Sequence, residues 1–317
     1  MDSTKDIAVI LAAGKGTRMR SPCPKVLSRL CGRPLIEWVV RAVREAGMER
    51  VVAVVGDQKQ EVTRVLEGLG VDWVEQPQPL GTGHALRVVG PLLEGPAVDI
   101  MALPGDSPLI RSSTLRALRD RHKEVKAHAT LLTAYLEDPR GYGRVVRDGQ
   151  GQVARVVEEW DTHGGEKDIK EVNTGVYYFK AGPLFEALER LTPENKKGEY
   201  YLTQVIELLR GMGKKVDTLT VADFLEVLGV NSQEDLARLS QIAYREKLRI
   251  LMERGVTVVE PSSTFVEEGA EVGPGTIIFP FTYISGKVVV GKGCRIGPFV
   301  YLKDGTRVAD GVEMRAV

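Results

Sequence analysis

Several things are scarce in this chain, and each scarcity excludes a class of protein. Of 317 residues only three are cysteines, Cys23, Cys31 and Cys294. An odd number at such wide spacing points to neither a disulfide framework nor a zinc site. Net charge is also missing: 43 Lys and Arg face 43 Asp and Glu, so no global positive field exists to hold a nucleic acid by counterion release. A small anion in a local pocket is not excluded by that balance. No apolar run approaches the length of a membrane span, and the run that follows Asp6 breaks at Gly14, too short and too charged at its start for a signal peptide. The expectation is a protein of the reducing cytoplasm with no nucleic-acid and no membrane partner. What is present, 27% charged and 43% hydrophobic residues, suits a globular chain long enough for two domains.

The first two thirds alternate strand-like and helix-like segments. Ile7 to Leu11 is wholly apolar and ends in glycines. After Pro34, Leu35, Val39 and Val43 fall on one helical face beside Ile36 and Val40, and Gly47 closes the pattern. Val51 to Val55 reads as a strand, 58–69 as a helix, Trp73 to Glu75 as a short strand, Thr82 to Leu93 as a helix and Ile100 to Leu103 as a buried strand. This order predicts an α/β, Rossmann-like domain with a mostly parallel sheet, whose ligands sit at the carboxyl ends of its strands. Shorter strands are expected from about 129 to 180. Helical periodicity returns near 183–191, 200–212 and 233–254, the last with a stripe of Leu236, Leu239 and Ala243.

The tail changes period. Every sixth residue from Val266 is apolar: Val266, Val272, Ile278, Ile284, Val290, Ile296, Leu302, Val308 and Met314. Four places after the first eight stand Ala270, Thr276, Thr282, Val288, Cys294, Val300, Thr306 and Val312, all small or β-branched, as tight corners require. This is the hexapeptide register of a left-handed parallel β-helix with three hexads to a coil, here under three coils. So short a stack needs neighbours to cover it. The domains expected are 1–232 for the α/β part, 233–255 for a connecting helix and 256–317 for the β-helix.

Chemistry concentrates after the first strand, in Leu11-Ala12-Ala13-Gly14-Lys15-Gly16-Thr17-Arg18-Met19 with Pro24-Lys25 beyond. Two glycines let backbone amides approach phosphate oxygens, and Lys15, Arg18 and Lys25 surround the same cradle with positive charge. The loop lacks the Gly-Lys-Ser/Thr ending of a P-loop and the third glycine of a dinucleotide fingerprint. A plain strand-to-helix turn with solvated basic side chains remains the alternative. Asp106, before Ser107-Pro108, reads as a metal ligand or as a turn or helix cap, and Asn231, before Ser232, as a ligand or as a helix N-cap. Glu158-Glu159 reads as a pocket carboxylate or a solvated pair. His84 is taken as structural.

Leu11 to Arg18 with Pro24-Lys25-Val26-Leu27 resembles the signature of sugar-1-phosphate nucleotidyltransferases. Gln76 with Leu80-Gly81-Thr82-Gly83-His84-Ala85, Gly105-Asp106, Gly141-Tyr142-Gly143-Arg144, Glu158, Asn173-Thr174-Gly175, Gly198 to Thr203 and Gly229-Val230-Asn231 narrow the likeness. Over residues 5–255 the chain is similar to the uridyltransferase half of the bacterial bifunctional N-acetylglucosamine-1-phosphate uridyltransferase/glucosamine-1-phosphate acetyltransferase family. The resemblance implies that Leu11, Ala12, Gly14 and Arg18 hold the nucleotide, that Gln76, Gly81 and Thr82 read uracil, and that Gly141, Glu158 and Asn173 hold the amino sugar. It implies Mg²⁺ on Asp106 and Asn231, UTP and a sugar 1-phosphate as partners, and a homotrimer built through the tail. Lys25 and Arg18 are the expected electrostatic catalysts.

Three positions depart from the family's pattern. Pro104 replaces a usual aromatic residue, Trp160 a usual basic one and Gln204 a usual acidic one, the last read as peripheral; Pro104 and Trp160 leave the sugar 1-phosphate and the nucleotide open, with another sugar 1-phosphate, dTTP, or a non-catalytic UDP-sugar sensor as alternatives. No histidine follows His163. The family's acetyl-transfer base and most of its acetyl-CoA groove are therefore expected to be missing.

Overall fold

The computed structural model describes residues 5–56, 58–93 and 98–315. The outermost positions of the first and last expected domains, 1–4 and 316–317, lie outside the described residues. The chain divides into two compact units: Met1–Leu27 with Leu35–Asn231, and Ser28–Pro34 with Ser232–Val317. Among the described residues no helix is long and apolar enough to cross a membrane.

In the larger unit, β1 is Lys5–Ala12. A hairpin of β2 (Arg29–Leu30) and β3 (Arg33–Pro34) interrupts the unit and belongs to the other one. Then follow α1 (Leu35–Glu45), β4 (Arg50–Val55), α2 (Lys59–Gly68), β5 (Asp72–Glu75), α3 (Thr82–Arg87) and β6 (Val98–Pro104). After α4 (Ser112–Val125) come β7 (Ala129–Tyr135), β8 (Gly143–Arg147), β9 (Val153–Val157), β10 (Glu171–Lys180), α5 (Ala181–Leu188), α6 (Gln204–Gly211) and β11 (Val216–Thr220). The sheet runs β11-β7-β10-β6-β1-β4-β5, with β8 and β9 attached to β10. It is mostly parallel, as expected, with β10 antiparallel to both β6 and β7.

Period-two alternation in β1 explains how one strand serves two cores. Ala8 and Ile10 face one apolar cluster with α1 and α4, whereas Ile7 and Val9 face a second with Leu184, Leu188 and Leu209. The helix expected to run unbroken from Thr82 to Leu93 stops at Arg87. A 3₁₀ turn, Gly90–Leu92, follows it, because Pro91 supplies no N–H and is tolerated only in a first turn.

The smaller unit starts with α7 (Gln233–Glu253), which buries Leu239, Ala243, Leu248 and Leu251. Beyond it short parallel strands stack in three columns, of four, three and three strands. Within the regular part each partner lies eighteen residues on, as in Val266 to Ile284 to Leu302. Seven of the nine periodic anchors are buried; Val272 and Met314 are half-buried. Ten strands make more than three coils, not under three. The uncounted strand, β12 (Thr257–Val258), pairs with Ile277 and Ile278 twenty residues on. The 3₁₀ turn Pro261–Ser263 takes up the extra residues, and a strict six-residue count cannot see across it.

The β2–β3 hairpin joins this unit through backbone bonds. Glu268 N–H donates to Cys31 O at 3.1 Å, and the buried Cys31 thiol lies 3.6 Å from Val266 O. Lys247 of α7 donates to the carbonyls of Glu268 and Ala270, at 2.7 and 2.9 Å. At the surface of the coils, Phe281 and Phe299 stack with ring centres 5.0 Å apart, 60% and 66% exposed.

Candidate active site

A cavity of about 580 Å³ opens where β1, β5 and β6 end, the place that a parallel sheet reserves for ligands. Leu11, Ala12, Gly14 and Lys25 contribute from the glycine loop, and Lys15 joins them. The loop's shape follows from one residue. Gly16 takes φ +59°, and a Cβ there would lie 2.7 Å from Lys25 Cβ, so glycine is what lets the lysine stem lie against the loop. Lys25 itself opens a 3₁₀ turn, Lys25–Leu27, anchored by buried Val26.

The Lys25 ammonium pairs with the Asp106 carboxylate and lies 3.3 Å from Asn231 Oδ1. Arg18 donates to the same Asn231 oxygen at 2.9 Å. Arg18 and Asn231 do not line the cavity; Asn231 meets Lys25, which does, and Arg18 meets Asn231. Neither polar residue does the capping that its sequence context allowed. Arg111 is the N-cap of α4, and Ser232 is the N-cap of α7, closed by a capping box with Asp235. Asp106 lines the cavity, and Asn231 Oδ1 meets the Lys25 ammonium beside it. Backbone holds them in register, with Val230 N–H donating to Asp106 O at 2.8 Å.

Gln76, Gly81 and Thr82 line the same cavity. Gln76 Nε2 donates to Gly81 O and stands 3.0 Å from His84 Nδ1. Burial, aided by Arg87, holds the His84 imidazole below its ordinary pKa and so keeps it neutral. Gly81 has φ +108°, and a side chain there would strike the Tyr200 backbone at 2.6 Å. Two separate sequence motifs meet here: Gly83 N–H donates to Tyr200 O, Tyr200 N–H to Leu80 O, and Leu202 N–H to the Thr82 hydroxyl.

Glu158 and Asn173 form the flank. The adjacent glutamates separate: Glu159 makes an ion pair with buried Arg144 at 2.7 Å, and Glu158 accepts from the Thr203 hydroxyl at 2.9 Å. Neither is a solvated pair. Burial pushes the Glu158 carboxyl above its ordinary range. Asn173 stands at a bulge of β10, donates to Tyr177 Oη at 2.6 Å, and faces Gly143 across the ladder. Gly141 does not line the cavity; it lies in the loop two residues ahead of Gly143.

Tyr177, Glu199, Leu202 and Thr203 also line the cavity. The motif Gly198 to Thr203 pointed toward the last three, but nothing in the sequence signalled Tyr177, whose direction comes from the bulge. Of the three departures, Pro104 is a wall of the cavity and Trp160 is 63% exposed. The Lys197 ammonium lies 5.6 Å from the Trp160 ring centre, so a cation stands beside the position where the sequence lost one.

Residues 8–210 match the MobA-like NTP transferase domain, and residues 269–304 match the bacterial transferase hexapeptide (six repeats). The chain is 48% identical over 281 residues to the bifunctional protein GlmU of Carboxydothermus hydrogenoformans, a match covering 89% of this chain and 62% of that protein. It is 47% identical to the bifunctional protein GlmU of Pelotomaculum thermopropionicum, over 87% of this chain and 60% of that one. The chain thus spans less than two thirds of the length of these curated relatives. A crystal structure of UDP-glucose pyrophosphorylase complexed with UDP-glucose superposes with a TM-score of 0.61, over 77% of this chain and all of that one, at 18% identity; that likeness concerns the fold. Because the first match runs through the glycine loop, the cavity and the strands that hold them, the chain belongs to the family of MobA-like NTP transferase domains and carries a hexapeptide-repeat tail.

Proposed function

We propose that this chain transfers UMP from UTP to N-acetylglucosamine 1-phosphate, giving UDP-N-acetylglucosamine and pyrophosphate. One observation carries the reading: Lys25 and Asp106, with Asn231 behind them, form a charged cluster on the wall of a cavity that Gln76, Gly81 and Thr82 also line. A nucleoside triphosphate suits both groups, with a neutral base at one end and a polyanion at the other. The likeness to the two bifunctional relatives supports the choice of uridine and amino sugar.

The sugar phosphate oxygen attacks the α-phosphorus and pyrophosphate leaves, so the protein's task is alignment and charge stabilisation. Leu11, Ala12 and Gly14 bring backbone to the nucleotide, and Lys25 and Arg18 face the developing negative charge. A lysine about 4 Å from that charge is worth up to ~4 kcal/mol at an effective dielectric of 20, roughly three orders of magnitude in rate. Glu158 and Asn173, which line the cavity, hold the amino sugar, with Gly141 behind them in the loop that leads to Gly143. No general base is needed.

A divalent cation fits the mouth of the pocket. Asp106 and Asn231 present two hard oxygens that already converge on one cationic nitrogen, that of Lys25, and Mg²⁺ commonly takes one or two protein oxygens and completes its shell with water and phosphate. When bound there, Mg²⁺ neutralises phosphate charge. The tail serves assembly into a homotrimer. No histidine lies between 164 and 317, and only nucleotidyl transfer is assigned to this span. Pyrophosphate release measured across a panel of nucleoside triphosphates and sugar 1-phosphates with Mg²⁺ tests the reading. Fastest turnover is expected for UTP with N-acetylglucosamine 1-phosphate; preference for dTTP or another sugar would replace it, and UDP-sugar binding without turnover would make the chain a sensor.

A further inference from the structure

His84 belongs to none of the roles above, although it touches the residue assigned to the base. Gln76 is buried and lines the cavity. Its Nε2 stands 3.0 Å from Gly81 O and 3.0 Å from His84 Nδ1. A backbone carbonyl can only accept, so the Gln76 atom facing it must be the amide nitrogen and not the oxygen. That nitrogen has two hydrogens. One goes to Gly81, and the second can reach His84 only if Nδ1 offers a lone pair, which requires the neutral imidazole with its proton on Nε2. With both hydrogens used, Gln76 has only its oxygen left to offer a ligand in the cavity.

We infer that His84 is a positioning residue for base selection: by accepting from Gln76 it takes up the second amide hydrogen so that only an acceptor is left to face N3 of the base, which favours a base with an N–H donor at that atom. Uracil has such a donor at N3, where cytosine has a lone pair. Without His84 the Gly81 carbonyl still holds one amide hydrogen, but the second is left for the cavity, where it would meet the lone pair at cytosine N3. The inference rests on the uridylyl reading given above and adds to it the group that takes up the amide's second hydrogen.

Asparagine supplies the test, because its Oδ1 falls close to the place of histidine Nδ1 and accepts without titrating. Binding of UTP and of CTP is measured by calorimetry on the whole chain with Mg²⁺, and kcat and KM for UTP are measured alongside, for the wild type, His84→Ala and His84→Asn. Losing one oriented hydrogen bond is expected to cut the UTP-over-CTP preference of His84→Ala about tenfold. Its KM for UTP should rise by a similar factor, with kcat at saturation within about threefold. His84→Asn should restore the preference. A preference unchanged in His84→Ala, or lost equally in His84→Asn, overturns the inference while the uridylyl reading stands. A wild type that binds CTP as well as UTP overturns both.

Discussion

The Lys25 ammonium and the Asp106 carboxylate form an ion pair across 81 residues of sequence, with only 14% and 15% of their side chains exposed. The pair joins the end of the glycine loop to the end of β6, and it puts the proposed electrostatic catalyst against the proposed metal ligand. Phosphate and a divalent cation would each compete for one partner.

Lys25→Ala should therefore lower turnover at least about a hundredfold, the scale expected from losing a poised positive charge, with the melting temperature little changed. The metal concentration giving half-maximal activity should not rise, because Asp106 is then released from its partner. Near-normal turnover in a pyrophosphate-release assay would remove Lys25 from the mechanism.

Asp106→Asn keeps shape and takes away the charge. The metal requirement should rise about tenfold, as a cation loses its one charged protein oxygen. Titration of activity with Mg²⁺ reads this directly, and an unchanged curve would count against a ligand role.

Stability should depend on acid through His122. This ring is 1% exposed, lies 4.8 Å from the Tyr178 ring and has Nδ1 2.9 Å from the Thr130 hydroxyl. Burial, helped by Lys180, His128 and Lys123, lowers its pKa from 6.5 to about 4. Between those values the unfolded chain binds more protons than the folded one. Stability is complete above pH 6.5 and falls by up to about 3 kcal/mol as pH drops to 4. Urea unfolding across that window should show the slope in the wild type and a shallower one in His122→Phe; equal slopes would refute the assignment.

Phe281 and Phe299 test the assembly role of the tail. Both take positive φ, 56° and 58°, a conformation asparagine tolerates better than phenylalanine. Phe281→Asn with Phe299→Asn should lower the mass measured by light scattering without lowering the melting temperature. An unaltered mass would contradict a role for this aromatic pair in the proposed trimer.

What the sequence revealed depended on how far the signal reached along the chain. The glycine loop and the hexads are short-range patterns, and both appear in the fold at the residues read. Gln76 and the Leu80–Ala85 stretch were legible as motifs, but their link to Gly198–Thr203 is a backbone pairing across more than a hundred residues. Tyr177 was invisible because a bulge in β10 aims it, and bulges leave little trace in composition. The first coil was undercounted because Pro261–Ser263 shifts the period. The antiparallel course of β10 was likewise not readable, since pairing partners and direction are set by tertiary packing.

The hairpin Ser28–Pro34 has a consequence for engineering. It is taken from the middle of one folding unit and sealed into the other, and it begins one residue after the turn that carries Lys25. Cutting the gene after Asn231 would strip the hairpin of Glu268 and Val266, its partners in the tail. The two halves are therefore not interchangeable modules: a graft of the larger unit onto a foreign scaffold must bring residues 232–270 with it, or accept a hairpin stripped of its backbone partners immediately after the turn that carries Lys25.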